Sequence, residues 1–242
     1  MCAVCNARHV QRRGFLSLTA AGLSGALLGP AAQAGPSSTG STSTPTLSPD
    51  DALARLQAGN AAFLDAPALC AARLGTQRTQ SAQHQAPWAT VISCADSRVP
   101  PELLFGGLGL GQLFVVRNAG HLADVATLGT IEYGWSVLGV PLVVVLGHER
   151  CGAVAAACEA VQKGTRFPGH IGPLVDSIVP AARAVQGRPG DFLDNAVREN
   201  ARRTARHITA RSATMAQAVA QGRARVVAAH YDLDSGEVQF LD

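Results

Sequence analysis

The stretch Leu142–Gly152, which reads LVVVLGHERCG, contains the strongest indication of the fold. Its first five residues are all apolar, with no alternation between apolar and polar positions. A strand of this kind is buried on both faces, as in a parallel sheet that is covered by helices on each side. Two more short apolar runs, Trp88–Ser93 and Leu113–Arg117, are bounded by Gly, Pro or polar residues and are predicted to be further strands.

Segments with helical periodicity lie around these strands, and a hairpin closes the chain. The predicted helices are Asp50–Leu64, Leu122–Leu138, a segment from Cys151 to about Val161, Ile171–Val185 and Asp191–Ala220. The hairpin pairs Arg225–Tyr231 with Glu237–Leu241 across the turn Asp232–Gly236. This order predicts an α/β fold with a mostly parallel central β-sheet, an antiparallel edge strand and flanking helices.

The composition favours a folded domain and gives no sign of a polyanion as partner. The chain has 242 residues, of which 47% are hydrophobic and only 15% are charged, a balance that fits neither a disordered chain nor a coiled coil. The net charge is +3, but the first 34 residues contain Arg8, Arg12 and Arg13 and no acidic residue. The remaining chain is neutral, so no nucleic-acid partner is expected.

Residues 1–34 have the pattern of a twin-arginine export signal. Arg12 and Arg13 precede a mostly apolar run, Phe15–Leu28, and the small-x-small sequence of residues 32–34 follows. The run is too short to span a bilayer as a stable helix, although an uncleaved N-terminal anchor is an alternative. We expect a signal peptide over residues 1–34, a flexible linker over 35–46 and one domain over 47–242. The protein is then exported to the periplasm or secreted, without stable membrane association after cleavage.

Two predicted strands end in residues that can bind a metal ion. Cys94–Arg98 (CADSR) directly follows the strand Trp88–Ser93, and His148–Gly152 (HERCG) follows the strand that begins at Leu142. Because ligands bind beyond the carboxyl ends of parallel strands, which lie about 4.8 Å apart, both segments can converge. Two thiolates and one imidazole suit Zn²⁺ and leave a fourth position for water, as in catalytic zinc sites.

Other interpretations of these residues stay open at this point. Taken singly, His148 is a buried or helix-capping histidine, and each cysteine is a small buried hydrophobic residue. Together they also fit a non-catalytic zinc-binding protein, or a cysteine nucleophile with His148 as its base. Asp96 is a possible fourth zinc ligand, but Arg98 can instead hold its carboxylate, so that Asp96 accepts a hydrogen bond from zinc-bound water. A third alternative is that Asp96 and Arg98 form an ion pair that closes the loop and has no chemical role.

The other cysteines are not expected to contribute to this site. Cys2 and Cys5 lie in the predicted signal peptide, so cleavage would remove their CxxC motif. Cys70 and Cys158 are predicted to be buried free thiols, although an oxidising compartment would permit a disulfide between them.

These motifs resemble those of the β-class carbonic anhydrases, whose pattern is Cys-x-Asp-x-Arg followed some fifty residues later by His-x-x-Cys-Gly. Both parts are present at Cys94–Arg98 and His148–Gly152. Further segments resemble the family at Gly59–Asn60, Phe114–Gly120, Ile131–Gly134, His170–Leu174 and Tyr231–Leu233, with Gly236. The resemblance covers about residues 47–242.

The resemblance implies a function and a role for each matching residue. It implies zinc-dependent, reversible hydration of carbon dioxide to bicarbonate and a proton by a zinc-bound hydroxide, in a homodimer or a higher multiple. Zinc would be held by Cys94, His148 and Cys151, and the Asp96–Arg98 dyad would position the hydroxide. The substrate would be bound by Gln85, by the apolar residues Phe114 and Tyr133, and by the backbone N–H of Gly152.

Two positions differ from the family pattern, and one related reaction is a rival. Val91 replaces a tryptophan that helps one subgroup bind inhibitory bicarbonate, so this regulation is not expected, and we predict that Val91 lines the CO₂ pocket. His121 stands where many members have Asn, and we expect it to be a surface or helix-capping residue or, alternatively, a proton shuttle.

The implied reaction also has an expected pH dependence and an alternative. Activity should rise with pH through 7 to 8. An enzyme with the same ligands that hydrolyses CS₂ or COS is the alternative to CO₂ hydration.

Overall fold

The computed structural model describes residues 47–66 and 81–241 of the chain. These residues belong to one compact unit. The predicted export signal, the predicted linker and Cys70 lie outside the described residues, so these predictions remain predictions.

A five-stranded sheet with the order β2-β1-β3-β4-β5 forms the centre of the structure. Its strands are β1 (Ala89–Cys94), β2 (Leu113–Asn118), β3 (Leu142–His148), β4 (Arg225–Tyr231) and β5 (Val238–Leu241). All neighbouring strands are parallel except β5, which pairs with β4 in the antiparallel direction. The predicted fold class is therefore confirmed, and the carboxyl ends of β1 and β3 are adjacent.

Seven helices surround this sheet in the described part of the chain. They are α1 (Pro49–Asp65), α2 (Pro101–Leu104), α3 (Val125–Ser136), α4 (Gly152–Lys163), α5 (Ile171–Val185), α6 (Phe192–Arg211) and α7 (Ala213–Ala220). None of them is long and apolar enough to cross a membrane. The short helix α2 was not predicted from the sequence.

The predicted helix Asp191–Ala220 is wrong in its continuity, because Ser212 divides it into α6 and α7. The N–H of Ser212 still bonds to Ile208 O, but its side chain accepts a hydrogen bond from the N–H of Met215 and so caps the next helix. Serine is among the best N-terminal caps. Ser212 Oγ also donates a hydrogen bond to Glu132 Oε1 on α3 at 2.6 Å. This tertiary contact holds the boundary between α6 and α7 at Ser212.

Both faces of the central strands are buried, as the continuous apolar runs predict. All six residues of β1 and all seven of β3 are buried. Burial of one large apolar side chain stabilises the fold by about 1.5–3 kcal/mol. Val91 packs on the face that also buries Leu56 and Phe105, whereas Cys94 packs on the opposite face with Val154 and Ile178. Strand β1 therefore directs Cys94 toward α4 and α5.

Candidate metal centre

Cys94, His148 and Cys151 lie together at the carboxyl edge of the sheet. Cys94 ends β1, His148 ends β3, and Cys151 is the N-terminal cap of α4. Their three ligand atoms lie within 4.8 Å of one another, and all three residues are buried. The two Sγ atoms are 3.9 Å apart. Two sulfurs bound to tetrahedral zinc at about 2.3 Å lie about 3.8 Å apart, so the observed spacing fits the ion.

The imidazole of His148 is oriented as a ligand. Its Nδ1 lies 2.9 Å from the backbone oxygen of Glu149, and because a carbonyl only accepts, Nδ1 carries the proton. The lone pair is therefore on Nε2, which is buried and has no hydrogen-bond partner. Buried polar atoms are almost always satisfied, whereas metal-binding histidines use one nitrogen for the ion and the other for such a partner.

The two thiols are close enough to form one hydrogen bond with each other. The hydrogen bond between the two sulfurs is the main cause that lowers the pKa of Cys94. The same hydrogen bond raises the pKa of Cys151, because deprotonation would abolish it. One sulfur is therefore stabilised as a thiolate, and a cation that replaces the shared proton would stabilise both.

Arg98 holds the carboxylate of Asp96 outside the ligand set. Arg98 Nε donates to Oδ1 at 2.9 Å and Nη2 donates to Oδ2 at 2.7 Å, and the backbone N–H of Arg98 also donates to Oδ1. These contacts keep the pKa of Asp96 well below its usual range. Oδ2 lies 3.9 Å from His148 Nε2, so the ionised carboxylate borders the ligands. The predicted dyad is present, and Asp96 does not join the three-residue ligand cluster.

Arg117 holds the loop after β1 in place, a role that our sequence interpretation missed. Its guanidinium donates to the backbone oxygens of Cys94 and Asp96, so it joins the end of β2 to this loop. Arg117 was visible only as part of the family segment Phe114–Gly120, because no local pattern indicates where an arginine on the neighbouring strand will point.

The predicted substrate residues Gln85, Phe114 and Tyr133 are not gathered around the ligands within one chain. Gln85 precedes β1 and lies near Gly111, which precedes β2, so it is at the amino edge of the sheet. Phe114 pairs with Thr90, four residues before Cys94, or about 13 Å along the strand. Tyr133 stacks on Phe114 with ring centroids 6.1 Å apart.

Gly152 lies beside the ligands, at the start of α4, as expected for a backbone donor to a bound anion. Its proposed hydrogen bond to substrate stays a prediction. Cys158 is confirmed as a buried free thiol outside the ligand cluster.

Two expectations about single residues are wrong. Val91 cannot line a pocket beside Cys94, because the two side chains pack on opposite faces of the sheet. His121 is neither at the surface nor a helix cap: its side chain is fully buried next to the site, and burial lowers its pKa to about 3. Complete burial also leaves His121 without the solvent contact that a proton shuttle needs.

The fold and the site together define an α/β protein with a buried Cys₂His cluster, able to hold a metal ion, at the carboxyl edge of a mostly parallel sheet. The sequence model of the family described as carbonic anhydrase matches residues 89–238, more than half of the chain. Carbonic anhydrase 2 of Mycobacterium tuberculosis is 36% identical over 198 residues, which cover 82% of this chain and 95% of that protein. Carbonic anhydrase of Mycolicibacterium smegmatis is 37% identical over 195 residues, which cover 81% and 94%.

Solved structures give the class within this family. The β-carbonic anhydrase CafA of Aspergillus fumigatus has a TM-score of 0.60 and 26% identity, covering 76% of this chain and 89% of that one. The Coccomyxa β-carbonic anhydrase in complex with acetazolamide has a TM-score of 0.59 and 27% identity, covering 78% and 86%. The chain therefore belongs to the β-class carbonic anhydrase family of enzymes.

Proposed function

We propose that this protein catalyses the reversible hydration of carbon dioxide to bicarbonate and a proton, with zinc held by Cys94, His148 and Cys151. The observation that supports this most directly is the ligand cluster with the unpartnered Nε2 of His148. The carboxylate of Asp96 borders that cluster and is held by Arg98. A storage site would need a fourth protein ligand, and Cys158 is outside the cluster in the described part of the chain.

The donor set favours zinc over the common hard cations. Thiolates and imidazole suit zinc, whereas magnesium and calcium prefer oxygen ligands. When bound, zinc supplies a Lewis acid that lowers the pKa of a coordinated water to about 7. Because thiolates make it a weaker Lewis acid than three imidazoles would, we expect the rate of hydration to rise with pH through 7 to 8.

Asp96 and Gly152 are the residues that we propose to act on the reacting atoms. Since both oxygens of Asp96 are held by Arg98, the carboxylate stays ionised and fixed in direction. It accepts a hydrogen bond from the attacking water, which turns a lone pair of that oxygen toward the carbon of CO₂. The Gly152 N–H, at the positive end of α4, then stabilises the charge that develops on the substrate oxygen.

The substrate pocket is proposed to need a second copy of the chain. Gln85, Phe114 and Tyr133 lie away from the metal ligands of their own chain, so they can serve only the site of another copy. Strand β2 is an edge strand of the described sheet, and three apolar residues of the adjacent α3 and its end, Val125, Tyr133 and Val137, are exposed. A homodimer, or an even multiple of it, covers this surface.

The proposed activity is tested by the zinc content per chain and by stopped-flow CO₂ hydration, with hydrolysis of CS₂ and COS measured in parallel. Asp96→Asn keeps the shape of the side chain but removes its charge, so we expect turnover to fall by about tenfold or more with zinc still bound. The control is Asp50→Asn, which breaks another Asp–Arg pair, the one with Arg225, away from the site. Near-normal turnover of Asp96→Asn would refute its role, and hydrolysis of CS₂ without CO₂ hydration would replace the proposed reaction.

We also propose that residues 1–34 direct export to the periplasm or the exterior. The support is the Arg12-Arg13 pair, the apolar run after it and the small-x-small sequence at residues 32–34. The export route suits a metalloprotein, because twin-arginine transport carries chains that have already folded and bound their metal.

A further inference from the structure

Two residues, Glu149 and Arg150, separate the candidate ligands His148 and Cys151. They connect the end of β3 to the start of α4, so their backbone sets how the two ligands face each other. Arg150 has a φ of +53°, a conformation that a residue with a side chain rarely adopts. Such a conformation persists only where the surrounding structure holds it. The segment therefore needs contacts with other parts of the fold.

The backbone of Glu149 bonds both to the sheet and to the ring of His148. Its N–H donates to Tyr231 O on β4 at 2.9 Å, which extends the pairing of β3 with β4 one residue beyond His148. Its carbonyl oxygen lies 2.9 Å from His148 Nδ1 and accepts the proton of that nitrogen. This bond leaves the lone pair of Nε2 for a metal ion. The direction of the Glu149 carbonyl therefore decides how the imidazole faces the other ligands.

The side chain of Glu149 attaches the same residue to the turn between β4 and β5. Glu149 Oε2 accepts a hydrogen bond from the backbone N–H of Leu233 at 3.2 Å, across 84 positions of the sequence. Leu233 is a firm anchor, because its side chain packs against the hydrophobic core cluster that contains Tyr231 and Val238. Glu149 is thus bonded to residues 231–233 through both its backbone and its carboxylate.

Three further charged groups surround this carboxylate. Oxygens of Glu149, Asp232 and Asp234 lie within 4.8 Å of one another, and Arg150 offsets their repulsion. Arg150 Nη2 lies 3.2 Å from Glu149 Oε2, and the guanidinium also binds Asp234. Asp232 Oδ1 accepts from the N–H groups of Asp234 and Ser235 within the turn. The side chain of Glu149 is 25% exposed and that of Asp234 is 74% exposed, so solvent weakens the contact of Asp234 more.

We propose that Glu149 is a positioning residue of the metal centre, whose carboxylate holds the Glu149 peptide so that its carbonyl oxygen stays directed at His148 Nδ1. The proposal rests on the proposed metal site but not on the identity of the reaction. Without the bond to Leu233, the peptide between Glu149 and Arg150 is free to rotate. The imidazole then loses the acceptor that fixes its direction and its tautomer.

The test measures the zinc affinity of the protein by competition with a chelator, and the ring N–H of His148 by NMR of the zinc-loaded protein. Neither measurement depends on turnover. Glu149→Ala removes the bond to Leu233, so we expect the zinc affinity to fall by about tenfold, the lower end of the range for residues that hold a ligand. The Nδ1–H of His148 should also exchange with water faster than in the wild type, because its acceptor is no longer fixed.

Two conservative variants separate the hydrogen bond from the charge of the carboxylate. Glu149→Gln keeps the length and the oxygen acceptor but removes the charge, so it should retain the native zinc affinity and the native ring signal. Glu149→Asp keeps the charge but is one methylene group shorter and does not reach the N–H of Leu233. It should therefore behave like Glu149→Ala, and it serves as the test if the alanine variant folds poorly.

The matched control is Asp234→Asn. It weakens the exposed contact between the same segment and the same turn, but it leaves every bond of Glu149 in place. We expect this variant to keep the zinc affinity and the ring signal of the wild type.

Native zinc affinity and a native ring signal in both Glu149→Ala and Glu149→Asp would overturn the proposal. An equal loss of affinity in Glu149→Gln would also overturn it, because the charge and not the hydrogen bond would then be responsible, as would an equal loss in Asp234→Asn. Failure of the proposed reaction is a separate result: the wild-type protein would then bind zinc and show the Glu149 effect, yet would not hydrate CO₂.

Discussion

The carboxyl edge of β1 and β3 and the outer surface formed by β2 and α3 differ in how completely one chain builds them. At the carboxyl edge the ligands are buried, and Arg98, Arg117 and Asn200 each hold a defined part of the loops around them. At the outer surface Tyr133 is 49% exposed, Val137 61% and Val125 87%. The carboxyl edge is therefore built completely by residues of one chain, whereas the outer surface exposes apolar side chains to solvent.

Because of this difference, metal binding and substrate binding are expected to depend on different parts of the proposed assembly. The metal ligands and the Asp96–Arg98 dyad come from segments that one chain brings together, so metal binding should not depend on assembly. Of the residues predicted to contact substrate, Phe114 lies on the edge strand and Tyr133 on the exposed surface, where Val125 and Val137 are also exposed. We therefore expect activity to depend on assembly and metal binding to be independent of it.

The largest expected effect comes from removing a ligand at the carboxyl edge. Cys151→Ser replaces a thiolate by a poorly ionised hydroxyl, so zinc binding should be lost and turnover should fall on the order of a thousandfold, beyond the effect of losing a residue that merely holds a ligand. Metal analysis and CO₂ hydration measure both. The matched control is Cys158→Ser, which changes a buried cysteine further along α4, the helix that Cys151 caps, and outside the ligand cluster. Retention of one zinc per chain by Cys151→Ser would contradict the ligand assignment.

The second largest effect is expected from a substitution on the outer surface that leaves the residues of the carboxyl edge unchanged. Val137→Asp places a charge on the exposed apolar surface, so we expect monomers that keep one zinc per chain but lose about tenfold or more of their activity. Light scattering and metal analysis on the same sample check this. Ile171→Asp is the control, because Ile171 is an exposed apolar residue of α5, which packs on α4 and α6. A fully active Val137→Asp monomer would show that one chain completes its own pocket.

The sequence was sufficient to predict the sheet and the cluster of Cys94, His148 and Cys151, because local patterns encode both. Each ligand motif directly follows a continuous apolar run, and parallel strands place their carboxyl ends at one edge. The face of Val91 was also predictable: residues three apart on a strand point to opposite sides, so Val91 and Cys94 cannot share a pocket.

Other features depend on contacts between distant segments and have no local signal. Asn200 donates a hydrogen bond to Gly120 O, 80 residues away, from a helix whose periodicity indicates only that one face is buried. Gln85 matches a family position, but its place at the amino edge follows from the tertiary structure. Ser212 did carry a signal, since serine often caps helices, but only its bond to Glu132 shows why the helix breaks there.

The smallest expected effect concerns Arg150, which lies between the ligands His148 and Cys151 with a φ of +53°. Its guanidinium binds both carboxylate oxygens of Asp234 in the β4–β5 turn, at 3.0 and 2.7 Å. Both side chains are largely exposed, and such ion pairs contribute little because solvent and salt screen them. We therefore expect Asp234→Asn to keep its zinc and to change turnover by less than about twofold.

The pH dependence of this pair gives the sharper measurement. Arg150 lowers the pKa of Asp234, so the folded state favours the ionised carboxylate. Any stability that the pair adds is present above the ordinary pKa of Asp, about 3.9, and is lost as the pH falls through the lower folded-state value. Urea denaturation of wild type and Asp234→Asn should differ slightly at pH 7, with the difference shrinking in acid and in high salt. Loss of the metal by Asp234→Asn at pH 7 would contradict this expectation. It would mean that the segment between His148 and Cys151 depends on the surface contact with Asp234, and not only on the buried hydrogen bonds of the carboxyl edge.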